Sequence, residues 1–568
     1  MRLCAVLFWG MFLVLSFSAA AESQKPLSES DVKKYQQIFS MQDRGDIAGA
    51  KKVSAGLENK ILMGYVLQDR YFAKGYTTKA AEIESWFEEY DDLPVAGQMY
   101  QLGKQKKAKL PDEKPKEIFG YSSGTCSFVM REDPINLIYG KTFPYLSGED
   151  KKTAGRLMRQ IGRYLRGGKT LNARRVLESK DAQRLFSTAD KDAARTALAF
   201  SYFLDGEDEK SLQFIESVLK QSANRIPLAY WTAGLVHWRR GAIENAAADF
   251  ESAARHDKVY PLLQASAAFW AARAYLKLGN YEKVGELLEI SAGHPRTFYG
   301  ILSLRLMGVS IDHVWETPAT LQDDVTADFS HPALTRFYAL KQIGQPALAG
   351  RELSKLYIEA DEEAKAILMM ISSKNGFAED LSLVAGRLKD DATRYPAPNW
   401  TPKDGWKADK ALVFAFVMQE SCFNATAKSS VGAMGLMQIM PKTGRDLARL
   451  LNFPWQLKHL QDPEYNLSLG QNYLLRLMNS DDIKRNLIFT AVAYNAGPGN
   501  LNKFKNKMTY HDDPLLFIES IPSRETRSFV ERIMVNYWTY RSLMNQPTHS
   551  LDEVAAGKWP LYHPFDRK

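Results

Sequence analysis

The segment "AYWTAGLVHWRRGAIENAAADFESAARH" (residues 229–256) decides how most of this chain folds. Shifted by 38 positions it lies over "AAFWAARAYLKLGNYEKVGELLEISAGH" (267–294), so that Trp231 meets Phe269, Gly234 meets Ala272, Gly241 meets Gly279 and Phe250 meets Leu288. Apolar and small residues recur at helical spacing on both sides of a glycine, which reads as helix, stop, helix. The glycine's freedom at positive φ suits the position just past a helix end. One such hairpin cannot bury both of its apolar faces, so neighbours must stack. Fainter copies precede it: "LAFSYFLDGEDEKSLQFIESVL" places Gly206, and "RQIGRYLRGGKTLNARRVLES" places Gly168.

Outward from this repeat, residues from about 28 to 390 read as helix after helix, with Ala and Leu stripes and little strand-like alternation. The glycine spacing is loose, 35 to 38 residues, which predicts degenerate, tetratricopeptide-like hairpins. The fold class expected is therefore all-α, with an N-terminal α-superhelix over 22–393. "RYPAPNWTPKDGW" (394–406) breaks the pattern with three prolines and is read as a linker. A second, differently written helical domain follows over 407–545, then a tail over 546–568 that packs down through Trp559 and Tyr562. At the other end, Arg2, the apolar run Ala5 to Phe17 and Ala19-Ala20-Ala21 read as a secretory signal peptide over 1–21.

The bulk numbers narrow the function. With 568 residues, 45% of them hydrophobic, the chain can bury a large core in more than one domain. Its formal charge of +8 suits an anionic surface or polymer. Nucleic acid is not expected, because no recognition motif is present and an exported protein rarely meets DNA. After removal of the leader two cysteines remain, Cys126 and Cys422, for which a disulfide and two buried thiols are both open readings. No CxxC pair and no HExxH spacing occurs, so no metal site is expected.

Chemistry is concentrated in the second domain. "ALVFAFVMQESCFN" (411–424) is apolar almost throughout and then places a carboxylate, Glu420, near the end of the helix it predicts. Burial and the negative end of a helix dipole both raise a carboxyl pKa, and a carboxylic acid still protonated near neutral pH can protonate a leaving oxygen. A structural glutamate bonded to a loop is the plainer reading of Glu420 taken alone. "NATAKSSVGAMGLMQIMPKTG" (424–444) adds a glycine-rich turn and Gln438; "FTAVAYNAGPGN" (489–500) leaves Tyr494 and Asn495 at an abrupt helix end. "IESIPSRETRSFVERIMVNYWTYR" (518–541) carries Glu525 and Arg527 at a helix start, then Tyr537, Trp538 and Tyr540, whose faces could stack on sugar rings or pack in a core.

Taken together and in order, "ESCFNATAKSSVGAMGLMQIMP", "AYNAG" and "IPSRETRSFV" resemble the catalytic domain of soluble lytic murein transglycosylases, over roughly residues 400–545. "TFYGILSLRLMG" (297–308) is similar to a stretch of that family's helical body, and Ala425 departs from a proline common in the family. The resemblance implies a goose-lysozyme-like, mainly helical domain that cleaves the β-1,4 bond between N-acetylmuramic acid and N-acetylglucosamine and leaves a 1,6-anhydromuramoyl end. It implies Glu420 as the single acid and base, and Ser429, Gln438, Met440, Tyr494, Asn495 and Glu525 as substrate-binding residues. It also implies no cofactor, a periplasmic monomer, peptidoglycan glycan strands as partner, and cell-wall synthesis proteins as further partners. A lysozyme-type hydrolase and a noncatalytic peptidoglycan-binding scaffold are the alternatives.

Overall fold

The structure, a computed structural model, describes residues 25–115, 133–311, 331–377 and 395–564, apart from positions 74, 139–140, 223–224, 376, 396 and 399 within those ranges. The leader, Cys4, Cys126 and part of the 394–406 linker lie outside the described residues. Among the described residues the architecture is all-α: only isolated bridges such as Lys428 with Met434 and Met434 with Ile439 interrupt the helices. No described helix is long and apolar enough to cross a membrane.

The predicted hairpins are present. Helix α1 (Gly148–Arg166) ends at Gly167. Further along, α2 (Pro227–Arg239) pairs with α3 (Ile243–Ala254), and α4 (Pro261–Lys277) with α5 (Tyr281–Ala292). Gly241 and Gly279, aligned in the sequence, end α2 and α4 identically, at φ +77 and +72. In each, the glycine N–H bonds to the carbonyl three residues back, and the next N–H reaches back five, from Ala242 to His237 and from Asn280 to Tyr275. That pair of bonds satisfies two of the carbonyls a helix end leaves open. Gly234 is small for a different reason: a Cβ there would stand 2.6 Å from the Phe250 ring. Trp231, Phe250 and Trp270 close the core of the two hairpins, with ring centroids 5.4 to 6.4 Å apart.

The chain forms two compact units that do not follow chain order. One comprises Met1–Gly124, Thr317–Asn399 and Cys422–Asn424. Its core joins Tyr35, Tyr65 and Trp86 to Phe337 and Tyr357, and the buried Glu352 carboxylate accepts from Tyr65 at 2.6 Å and Arg336 at 2.5 Å. The other comprises Thr125–Glu316, Trp400–Ser421 and Ala425–Lys568, so the hairpins and the second domain share it. Phe298 stacks on Trp538 at 5.6 Å, and Tyr299 donates to Glu519 at 2.5 Å. Arg527 reads from the sequence as a surface charge, yet it is 4% exposed and bonds Asp133 at 2.5 Å.

Within this unit lie α6 (Lys410–Ser421), α7 (Pro441–Leu450), α8 (Pro463–Met478), α9 (Leu487–Ala496) and α10 (Arg524–Leu543). Tyr537, Trp538 and Tyr540 are wholly buried in α10 and pack the core; no sugar can stack on them. The tail is docked: the Trp559 ring packs on Phe489 at 4.7 Å, and Tyr562 is buried.

Candidate active site

The site begins with α6. Ala411 to Gln419 are all buried, so this helix is enclosed on every side until its last turn, where Glu420 is half-buried. Immediately afterwards Cys422 and Phe423 both take positive φ, at 49 and 66, and turn the chain away. Cys422 is disulfide-bonded. The Glu420 carboxyl has no hydrogen-bond partner among the described residues. Burial first and the charge of Glu525 second, against the opposing Arg532 guanidinium, push its pKa from 4.5 to about 8. A carboxylate without donors in such a place holds its proton.

Tyr494, on α9, stands beside it. Burial first, and the Glu420 charge second, hold its phenol well above its ordinary range, so it is a hydrogen-bond donor. It donates to the Met437 carbonyl at 2.6 Å, and its ring packs between Phe416 at 4.7 Å and Tyr473 at 5.4 Å. Asn495 follows, and its Oδ1 accepts from Thr526 at 2.8 Å, which ties the end of α9 to the start of α10. Glu525 lies there, exposed. Two helical turns further on, Arg532 donates to the Gln419 side chain at 2.6 Å, and burial lowers its pKa to about 10.

The loop between α6 and α7 meets Tyr494 through the Met437 carbonyl. Ser429 Oγ accepts the Ala433 N–H at 2.9 Å, and its own hydroxyl hydrogen has no acceptor among the described residues. Gln438, at φ 44, spends its amide N–H groups on the Ala427 and Gly435 carbonyls at 3.2 and 2.9 Å, leaving its Oε1 enclosed without a donor. Met440 is 42% exposed at the start of α7. Gly435 is required by contact as well as by its φ of +78, because a Cβ there would lie 1.9 Å from the Leu460 carbonyl oxygen.

Two residues that organise this site were not among those picked out by sequence. Asn466, fully buried on α8, accepts from Met437 N–H at 2.8 Å and donates to the Met434 and Leu460 carbonyls at 3.1 and 2.8 Å. Arg532 is the other, and its guanidinium holds Gln419 and opposes the rise in the Glu420 pKa. Among the described residues no group of His, Cys, Asp and Glu could hold a metal ion.

Residues 401–515 match the family described as the Transglycosylase SLT domain. This region is an SLT domain. Beyond it, the chain is 30% identical over 292 residues to the "Soluble lytic murein transglycosylase" of Escherichia coli strain K12, a match that spans 49% of this chain and 44% of that protein. The chain thus covers less than half the length of the curated relatives it matches first. Among solved structures, the 70 kDa soluble lytic transglycosylase of Escherichia coli superposes with a TM-score of 0.65 at 17% identity, covering 94% of this chain and 99% of that one. An inactive glutamate-to-glutamine mutant of the lytic transglycosylase Slt from Pseudomonas aeruginosa gives 0.61 at 18% identity, covering 90% and 97%. At such identities the likeness shows the fold: an all-α body with a lysozyme-like domain around the SLT segment.

Proposed function

We propose that this protein is an exported lytic transglycosylase that cleaves peptidoglycan between N-acetylmuramic acid and N-acetylglucosamine. The observation that carries the reading is Glu420: a half-buried carboxyl with no donor among the described residues, pushed to about 8, inside an SLT domain. In this reading Glu420 protonates the glycosidic oxygen as the bond to the muramoyl anomeric carbon breaks. The substrate's own N-acetyl carbonyl oxygen closes on that carbon, and the charged ring that results lies within the field of Glu525. Glu420, now a carboxylate, takes the proton of the muramoyl 6-hydroxyl, whose oxygen displaces the acetamido group and closes the 1,6-anhydro ring. No water is consumed and the acid is restored. Tyr494 would hold the Met437 carbonyl and shape the cleft beside Glu420, Ser429 would offer its free hydroxyl hydrogen, and Gln438 and Met440 would present the loop to the glycan. The Pseudomonas aeruginosa protein, inactive as a glutamate-to-glutamine mutant, supports a glutamate in the acid role.

Glu525 favours a second reading, since a carboxylate near enough to raise Glu420 could instead steer a water, as in a two-carboxylate hydrolase. Mass spectrometry of the soluble products separates the two. Incubation of purified peptidoglycan with the protein should yield muropeptides lighter by one water than hydrolytic ones, and Glu420→Gln should yield none. Reducing ends would make it a hydrolase, and no product from the unaltered protein would leave a binding scaffold.

A further inference from the structure

Helix α1 (Gly148–Arg166) holds none of the candidate site residues, yet its basic residues gather on one side. Lys152, Arg156, Arg159, Arg163 and Arg166 are all exposed. Their spacing of four, three, four and three residues gathers them within a sector of about 80°, along about 21 Å of helix. The inner face is the reverse: Ala154, Leu157, Met158, Ile161 and Leu165 are buried. At the beginning of the stripe Glu149 pairs with Lys152 at 3.5 Å, and Asp150 with Arg184 at 3.0 Å. Arg156, Arg159 and Arg163 have no ion pair with any described carboxylate. Like charges one turn apart oppose the helix that bears them, so this row is not there to hold α1 together.

We propose that this row is a docking rail for the carboxylates of peptidoglycan stem peptides, holding the enzyme on the polymer independently of the cleft. The occupant follows from charge and shape. The partner must be anionic, and a single straight row of guanidinium groups, each able to fork onto a carboxylate, fits an array of carboxylates along a strand. A lipid surface is the poorer fit, because α1 exposes no large apolar side chain to enter it. The inference rests on the proposed peptidoglycan substrate and adds to it a second contact, with the peptides and not the sugars.

The test uses the full chain carrying Glu420→Gln, so that nothing is digested, with and without Arg156→Gln, Arg159→Gln and Arg163→Gln together. Each protein is sedimented with intact sacculi, with sacculi whose carboxylates have been converted to amides by a carbodiimide and ammonia, and with phosphatidylglycerol vesicles, from low to high salt. The rail predicts that the triple change weakens binding to intact sacculi about tenfold at low salt and flattens its salt dependence. It also predicts no difference between the proteins on amidated sacculi. Equal binding to intact sacculi at every salt concentration would overturn the proposal; so would an arginine-dependent increment that survives amidation, or one seen only on vesicles. Circular dichroism and thermal melting establish that the triple variant folds. If it does not, the parent alone decides, since its binding advantage for intact over amidated sacculi must vanish at high salt. A chain with intact Glu420 that cleaves no glycan would defeat the proposed activity while leaving the sedimentation result to stand or fall separately.

Discussion

Replacing Glu420 by glutamine should make the folded protein more stable, and increasingly so as the pH rises. The carboxyl titrates near 4.5 in an unfolded chain and at about 8 in the fold. Between those values the unfolded chain releases a proton that the folded chain keeps, so stability falls with rising pH across that window and levels off above it. Each pH unit in the window costs about 1.4 kcal/mol. The penalty is therefore under about 1 kcal/mol at pH 5, about 3 at pH 7 and approaching about 5 above pH 8, values that partial exposure of the carboxyl makes upper bounds. Glutamine has nearly the same shape and no charge to desolvate, so it escapes this penalty. Thermal unfolding of the two proteins, followed at pH 5 and at pH 7, should show a glutamine advantage larger at pH 7 by about 5 °C. An advantage that is the same at both values, or a variant less stable at pH 7, would mean that Glu420 is solvated or partnered and that the burial argument fails.

In the proposed mechanism the same proton sets the rate, so activity on glycan should decline on the alkaline side near pH 8, where Glu420 loses it. Glu525→Gln should move that limb to lower pH and Arg532→Gln to higher pH, because the first group raises the Glu420 pKa and the second lowers it; pH–rate profiles of both read the signs directly. Gly435→Ala forces a methyl into the Leu460 carbonyl at a left-handed position and should cost about 3 kcal/mol or more in a denaturant titration, with loss of cleavage. Asn466→Ala leaves the Met437 N–H and the Leu460 carbonyl without partners and the Met434 carbonyl with the Ile439 N–H alone, and should cost about 2–4 kcal/mol, whereas Asn466→Asp, which restores only the acceptor, should recover part of it.

The hairpins were legible because their signal is local. A glycine at positive φ closes two backbone bonds within six residues, so Gly241 and Gly279 betray the turn without reference to anything distant. Glu420 was legible for a related reason, since a carboxylate at the end of an apolar run contradicts its surroundings. What the sequence hides is whatever depends on which faces meet. Tyr537, Trp538 and Tyr540 sit at positions that serve a cleft or a core equally well, and only the packing of α10 on α6 and on Phe298 makes them core. Asn466 lies 29 residues beyond the Met437 amide it receives, in a helix that reads as ordinary. Nor does any local pattern say that residues 125–316 join 400–568 in one unit across the intervening chain.

A half-buried carboxyl with no hydrogen-bond donor among the described residues keeps its raised pKa only while no donor shifts toward it, so in the proposed mechanism the rigidity of α6 is part of the chemistry. Both ends of that helix are held. At its start the buried Asp409 bonds the Ala411 N–H at 3.0 Å and Arg541 of α10 at 2.9 Å, and its own N–H is received by Tyr562 of the docked tail at 2.9 Å. At its finish Arg532, from the same α10, grips Gln419 at 2.6 Å, one residue short of the acid. Helix α10 thus clamps α6 twice and also carries Glu525 at its head, so one rigid element fixes the acid, the group that raises its pKa and the group that lowers it. The docked tail, through Tyr562 and Asp409, is thus part of what holds the start of α6 in place.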